Sequence, residues 1–296
     1  MSDDWKTRWR MSFRRETALD MDGRPLGRIR RLRALRSAGW SRERVHGAGQ
    51  QEQSSPPQPG VELLFASYNI HKAVGRDRRF DPDRIVAVLK EIDADVVALQ
   101  EADQRFGTRA GLLELETLMR ETGLAPVRVH ETGPRHGWHG NVVLIRQGSA
   151  TATTQIVLPG LEPRGALIVD LDLPCGCVRV VAAHLGLLRH SRSRQIEKLM
   201  TAAHDGDKRP IVLMGDFNEW RVGRRSSLHG LAPHFGPVQA SVPSFPARFP
   251  VLALDRIVTY PPELIATVSV HDTPLARVAS DHLPIKARIE LPAAEN

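Results

Sequence analysis

From residue 61 onward the chain is built of short apolar runs separated by polar and turn-forming residues. Runs of that length, bounded in that way, read as strands. They fall at 61–70, 94–101, 141–145, 165–173, 177–185, 210–216, 254–259, 265–270 and 284–290. Three stretches have helical length and spacing instead. In 81–92, Asp81 can cap, Pro82 suits the first turn, and Ile85, Val88, Leu89 and Ile92 share a face. Residues 111–122 and 190–204 are the others, the latter with Ile196, Leu199 and Met200 turned inward. Many strands and few helices predict two stacked sheets with helices outside, an α/β (α+β) fold.

Several of these strands carry polar residues at one end. Residues 211–220 read IVLMGDFNEW. In extended backbone, positions two apart share a face, so Asp216 and Asn218 are expected to aim at one spot. The plainer reading is a polar turn, since Gly, Asp and Asn all favour turns. The pattern recurs: Asn69 in FASYNIH, Glu101 after VVALQ, His184 after VRVVAA, Asp255 in LALDRIV, and Asp281 and His282 in ASDHLPI. Singly, each has an ordinary explanation: a cap, a surface acid, a satisfied core histidine. Jointly they are harder to dismiss, because carboxylates and histidines are rarely buried without partners. If the strand ends converge, the cluster of Glu, Asp, Asn and His suits a hard divalent cation, Mg²⁺ or Mn²⁺, better than zinc.

Composition sets bounds. Hydrophobic content of 41% and charged content of 25% are ordinary for a soluble globular chain. No run reaches the length of a membrane span, and the first residues lack the apolar stretch of a secretory signal, so a cytoplasmic location is expected. Cys175 and Cys177, in LPCGCVRV, read as part of a tight turn rather than a disulfide or zinc framework. The net charge is +7, yet residues 1–60 carry 13 basic and 7 acidic groups, against 28 and 27 in the remainder. The basic character therefore belongs to an N-terminal arm (1–49), followed by a Pro/Gln-rich linker (50–60), a main body (61–291) and a tail (292–296). Residues 24–44 of the arm form a mildly amphipathic basic stretch that can lie on an anionic membrane, placing the chain at its periphery. A solvated tail is the alternative. A near-neutral body argues against an extended nucleic-acid surface.

The motifs YNIH, LQEAD, GNVVLIR, AAHLG, GDFNEW, LDRI and SDHLPI occur in the order seen in the endonuclease/exonuclease/phosphatase superfamily, which the chain resembles over about residues 61–291. NIHKAVGRDRRFDPDRI, EPRGAL, HLGLLRHSRSRQ and SFPARFP are similar to a bacterial subfamily of small phosphodiesterases. The resemblance implies a four-layer α/β/β/α sandwich and divalent-metal-dependent hydrolysis of a phosphate ester. It implies Glu101 as principal metal ligand with Asn69 beside it, and Asp281 as a further metal contact. Asp216 would orient or deprotonate the attacking water, and Asn218 would hold phosphate or metal. His184 would stabilise phosphate oxygens. His282 would serve as general acid/base or stabilise the transition state, with Asp255 orienting its ring. Asn141 falls where relatives place a substrate-facing residue. Arg164 could bind phosphate, or simply pair with Glu162. Three functions are open at this point: a phosphodiesterase of a lipid headgroup or small phosphodiester, which the neutral body favours; a DNA or RNA nuclease; and a catalytically silent membrane- or partner-binding module.

Overall fold

The computed structural model describes residues 60–292, apart from 105–106, 130–134, 205–208, 222 and 237–241. The basic arm with its 24–44 stretch, nearly all of the linker and the last four residues of the tail lie outside the described residues. Strands β1 (Val61–Asn69), β2 (Val96–Gln100), β3 (Ala125–Pro126) and β4 (Val142–Ile145) enter one sheet. A second sheet is made of β5 (Ser149–Val157), β6 (Gly165–Leu173), β7 (Gly176–His184), β8 (Ile211–Asp216) and β9 (Asp255–Tyr260). The chain then returns to the first sheet with β10 (Ile265–Val270) and β11 (Ile285–Leu291), giving the order β10-β11-β1-β2-β4-β3. Both sheets are mixed, because β1–β2 and β7–β8 are parallel while their other pairings are antiparallel.

The two sheets pack face to face, and helices cover the outer faces. Along β8, Val212 and Met214 enter the core between the sheets, whereas Ile211 and Leu213 point to the outer helical layer. Both faces being covered, the strand reads as an unbroken apolar run. Helices α1 (Pro82–Ile92) and α2 (Leu115–Thr122) cover the first sheet through Ile85, Val88, Leu89 and Leu118. Helix α3 (Arg189–Ala203) covers the second through Ile196, Leu199 and Met200. The short α4 (Ala232–Phe235) and α5 (Ala276–Ala279) extend these layers. The result is the expected four-layer α/β/β/α sandwich. Asp81 caps α1 by accepting from the Arg84 N–H, with Pro82 at the first position.

Two expectations need correction. The helix over 111–122 begins only at Leu115, because the Glu114 carboxylate caps it by accepting from Glu116 N and Thr117 N. Gly111 instead bridges to Asp103. Strand β5 is absent from the sequence reading. Its Ser, Ala and Thr residues are exposed along most of its length, so it carries no apolar pattern.

Strand direction places the chemistry. β1, β2, β7 and β8 end, and β4, β6, β9 and β11 begin, at one end of their sheets. The two sheets meet there through a hydrogen bond from Asn69 Nδ2 to Asp216 Oδ2, 3.0 Å.

Candidate active site

Asp216 is the centre of the cluster. It closes β8, is 2% exposed, and its Oδ2 faces three nitrogen atoms: Asn69 Nδ2 at 3.0 Å, His184 Nε2 at 3.4 Å and His282 Nε2 at 3.8 Å. Its Oδ1 accepts from the Asn218 N–H at 2.9 Å. The glycine before it is required sterically. Gly215 has φ of +151°, and a Cβ there would lie 1.8 Å from the Ala183 carbonyl oxygen of the neighbouring strand.

The two histidines flanking Asp216 are in opposite protonation states. Burial pushes His184 down to about 4, with Arg164 and His282 acting in the same direction against Asp216 and Glu101. Arg164 Nη1 donates to His184 Nδ1 at 2.9 Å, so the neutral ring carries its proton on Nε2, toward Asp216. For His282, burial acts downward, but Asp255 and Asp216, helped by Asp281, outweigh it and push the ring up to about 10. Its Nδ1 donates to Asp255 Oδ2 at 2.9 Å, and the Ser244 hydroxyl donates to the same oxygen. Asp255 is fully buried at the start of β9. Environments that separate two like groups in this way assign them different chemical roles.

Glu101 follows β2 with φ of +55°, a conformation uncommon for a residue with a side chain. Gly140 packs against its Cα, where a Cβ would come within 3.2 Å. Lys72 Nζ lies 2.9 Å from Glu101 Oε2. Burial opposes ionisation of Glu101, but His184, Lys72 and Arg164 together overcome it and hold the carboxyl below its usual value. Because His184 is neutral near pH 7, the lasting part of that pull comes from Lys72 and Arg164. A charged carboxylate already drawing a cation to itself fits a hard divalent ion. Asp216, Asp255 and His282 also bring ligand atoms within 4.8 Å of one another. Within that trio the closest approach is the 2.9 Å hydrogen bond from His282 Nδ1 to Asp255 Oδ2.

A buried ion pair holds the loops that carry these groups. Glu219, just after the GDFN segment, and Arg192 of α3 are both 0% exposed, with Arg192 Nη2 3.1 Å from Glu219 Oε2. Ser227 N and Oγ donate to the same oxygen, and Arg221 N donates to Oε1. Arg192 Nη1 in turn donates to the Gly186 and Leu187 carbonyls in the loop after His184. Arg192→Leu removes the buried cation of Glu219, leaving only the more distant, exposed Arg221, and should cost about 3 kcal/mol. A chemical denaturation midpoint unchanged from wild type would show that the pair does not brace the loops.

A profile of the Endonuclease/Exonuclease/phosphatase family matches residues 66–282, from β1 through His282. The chain belongs to this family. It is accordingly a phosphoester hydrolase, and metal dependence is the rule among members of the family. YbhP of Escherichia coli, an uncharacterized protein, is 28% identical over 245 residues, spanning 75% of this chain and 94% of its own. A family structure from Beutenbergia cavernae superposes with TM-score 0.59 at 23% identity, over 78% of this chain and 72% of that one. ANGEL2, a 2',3'-cyclic phosphatase solved with adenosine-2',3'-vanadate, gives TM-score 0.52 at 16% identity, over 79% of this chain and 96% of that one. At such identities the two structures establish the shared fold.

Asn69, Glu101, His184, Asp216, Asp255 and His282 all come to the convergent strand ends. Asn218 does not align with Asp216 as extended backbone would require. Its φ is +51°, the Asp216 Oδ1 contact makes a side-chain turn, and its Nδ2 donates to the Leu185 carbonyl. Asn141 is fully buried rather than open to the cleft, and its Nδ2 donates to the Trp138 and Gly165 carbonyls, tying the start of β4 to the start of β6. Asp281 sits at the rim with its side chain 36% exposed, 3.8 Å from His71. Arg164 pairs with Glu162 at 3.2 Å, as one of its two sequence readings has it, and also reaches His184. Lys72, Ser244, Arg192 and Glu219 were not foreseen. Lys72 had the clearest signal, a cation three residues after Asn69.

Proposed function

We propose that the chain is a Mg²⁺- or Mn²⁺-dependent phosphodiesterase acting on a lipid headgroup or small phosphodiester. The observation that supports this most is one buried carboxylate, Asp216, set between the ring nitrogens of His184 and His282. In-line attack on a phosphodiester needs an oriented water on one side and a proton source for the leaving oxygen. Asp216 is suited to orient the water, since its Oδ2 is aimed at the point where three donors meet. His282 is suited to supply the proton, with Asp255 holding its Nδ1. His184, Arg164 and Lys72 offer N–H donors for the non-bridging oxygens. Asn218 and Asn141 are positioning residues in this reading, because their amide nitrogens are engaged by backbone carbonyls.

Glu101, with Asn69, would hold the divalent ion, and Asp281 lies at the rim as a further oxygen donor. When bound, the ion would neutralise charge developing on the phosphate. Purified protein given bis-p-nitrophenyl phosphate should turn over with Mg²⁺ or Mn²⁺ and stop on addition of EDTA. Glu101→Gln should raise the metal concentration needed for half-maximal activity by about tenfold or more. Turnover indifferent to EDTA would sink the metal assignment. Cleavage of plasmid DNA in preference to small diesters would favour a nuclease of the same fold. No turnover of any phosphoester by folded protein would leave the silent binding module.

A further inference from the structure

Apolar side chains are unevenly exposed over this molecule. Among the described residues twelve large ones are exposed, and eight of them sit at the catalytic end of the sheets, seven on loops and Val278 on the short α5. On one side of the cleft are Phe80 (60% exposed), Phe249 (68%), Val251 (71%) and Val278 (38%). Their loops are hydrogen-bonded side by side: Arg76 N donates to Val278 O, Arg277 Nη1 to Arg248 O, and Ala247 N to Asp281 O. The Phe245 ring lies 4.8 Å from His282, so this lip abuts the acid/base group. On the other side are Leu161 (88%), Leu187 (56%), Leu188 (51%) and Trp220 (47%). Here Leu187 N donates to Glu162, the partner of Arg164, and Arg221 stacks over Trp220 at 4.8 Å. Exposed apolar groups gathered at one end, rather than scattered singly, mark an interaction surface.

The charges on the first lip narrow the partner. Arg76, Arg78, Arg79 and Arg248 are exposed and have no carboxylate partner among the described residues. We propose that the two lips form a docking face for an anionic lipid bilayer, with the cleft turned toward the headgroups. The purpose of the face rests on the phosphodiesterase reading; its existence does not. Aliphatic tips of Leu and Val immerse in the acyl boundary, while arginines meet anionic headgroups and an aromatic ring sits between. A single-stranded nucleic acid would match the arginines and rings but not the aliphatic majority, which cannot stack on bases.

The test uses the full chain and co-sedimentation with vesicles, either phosphatidylcholine alone or phosphatidylcholine with an equal part of phosphatidylglycerol. Wild type should bind the anionic vesicles and release them at high salt. Three double variants cover the face: Leu161→Ser with Leu188→Ser, Phe249→Ser with Val251→Ser, and Arg78→Ser with Arg79→Ser. Each should weaken binding by about tenfold, because both burial of apolar tips and attraction to anionic lipid are graded contributions. Hydrolysis of soluble bis-p-nitrophenyl phosphate should stay within about twofold of wild type, since these surface side chains stand outside the acid/base set. Wild-type binding to the anionic vesicles by all three variants overturns the proposal, as does equal binding to both vesicle types or to neither. Capture of a single-stranded oligonucleotide, lost in the same variants without vesicle binding, also overturns it. Vesicle binding that follows the predictions while the soluble diester is never cleaved would support the face and refute the phosphodiesterase reading.

Discussion

Asp216→Asn should lower turnover of a soluble phosphodiester by about 10³-fold while leaving the protein folded. Shape is preserved, but both oxygens of the native carboxylate accept from N–H donors. Oδ2 faces Asn69, His184 and His282, and Oδ1 takes the Asn218 N–H. An asparagine has one acceptor oxygen and one NH₂, so either orientation sets donor against donor on one side. If the NH₂ faces the cleft, the group that would orient water is gone. If it faces Asn218, the side-chain turn that shapes the GDFN loop is lost. Turnover within tenfold of wild type, measured with bis-p-nitrophenyl phosphate at saturating metal, would show that Asp216 has no part in activating water.

His282→Gln should cost about 10²- to 10³-fold in the same assay, the range expected for a lost acid/base group. Glutamine can still reach Asp255, so the loop keeps its shape while the transferable proton disappears. The informative comparison is with Asp255. Its carboxylate acts through the ring of His282, which donates to it at 2.9 Å. Asp255→Asn should therefore be costly in wild type, yet change turnover by less than about threefold in the His282→Gln background. Additive losses would mean that Asp255 meets substrate or metal directly and that the proton-holding role is misassigned.

Much of this fold was legible because the sandwich covers both faces of most strands. β2 and β8 are buried along their whole length, so their residues are apolar or glycine up to the last position and their polar ends stand out. β5 has no such signature, since only one edge of it is paired and most of its side chains meet water. Sequence order also brought out Asn69, Glu101, His184, Asp216, Asp255 and His282, whose residue types are costly to bury and so invite explanation. What could not be read was which atom each side chain presents. Asn141 and Asn218 were visible as residues, but their orientation depends on backbone turns and on carbonyls contributed by distant strands. Glu219 follows DFN with nothing in its neighbours in sequence to mark it as buried. Its burial becomes intelligible only once Arg192, 27 positions upstream, is seen to face it.

The place of β11 has a consequence for the order in which the enzyme is made. It lies between β10 and β1, and pairs with β1 from Val61↔Leu291 to Ser67↔Ile285. Strand β1 therefore waits for a partner synthesised more than two hundred residues after it, which favours slow closure of the first sheet. His282 leaves the ribosome just ahead of that partner. Chains stalled between Asp216 and His282 carry Asn69, Glu101 and Asp216 but lack the histidine proposed to donate the proton, so the nascent chain should turn over phosphoesters poorly until the strand that completes its fold has arrived.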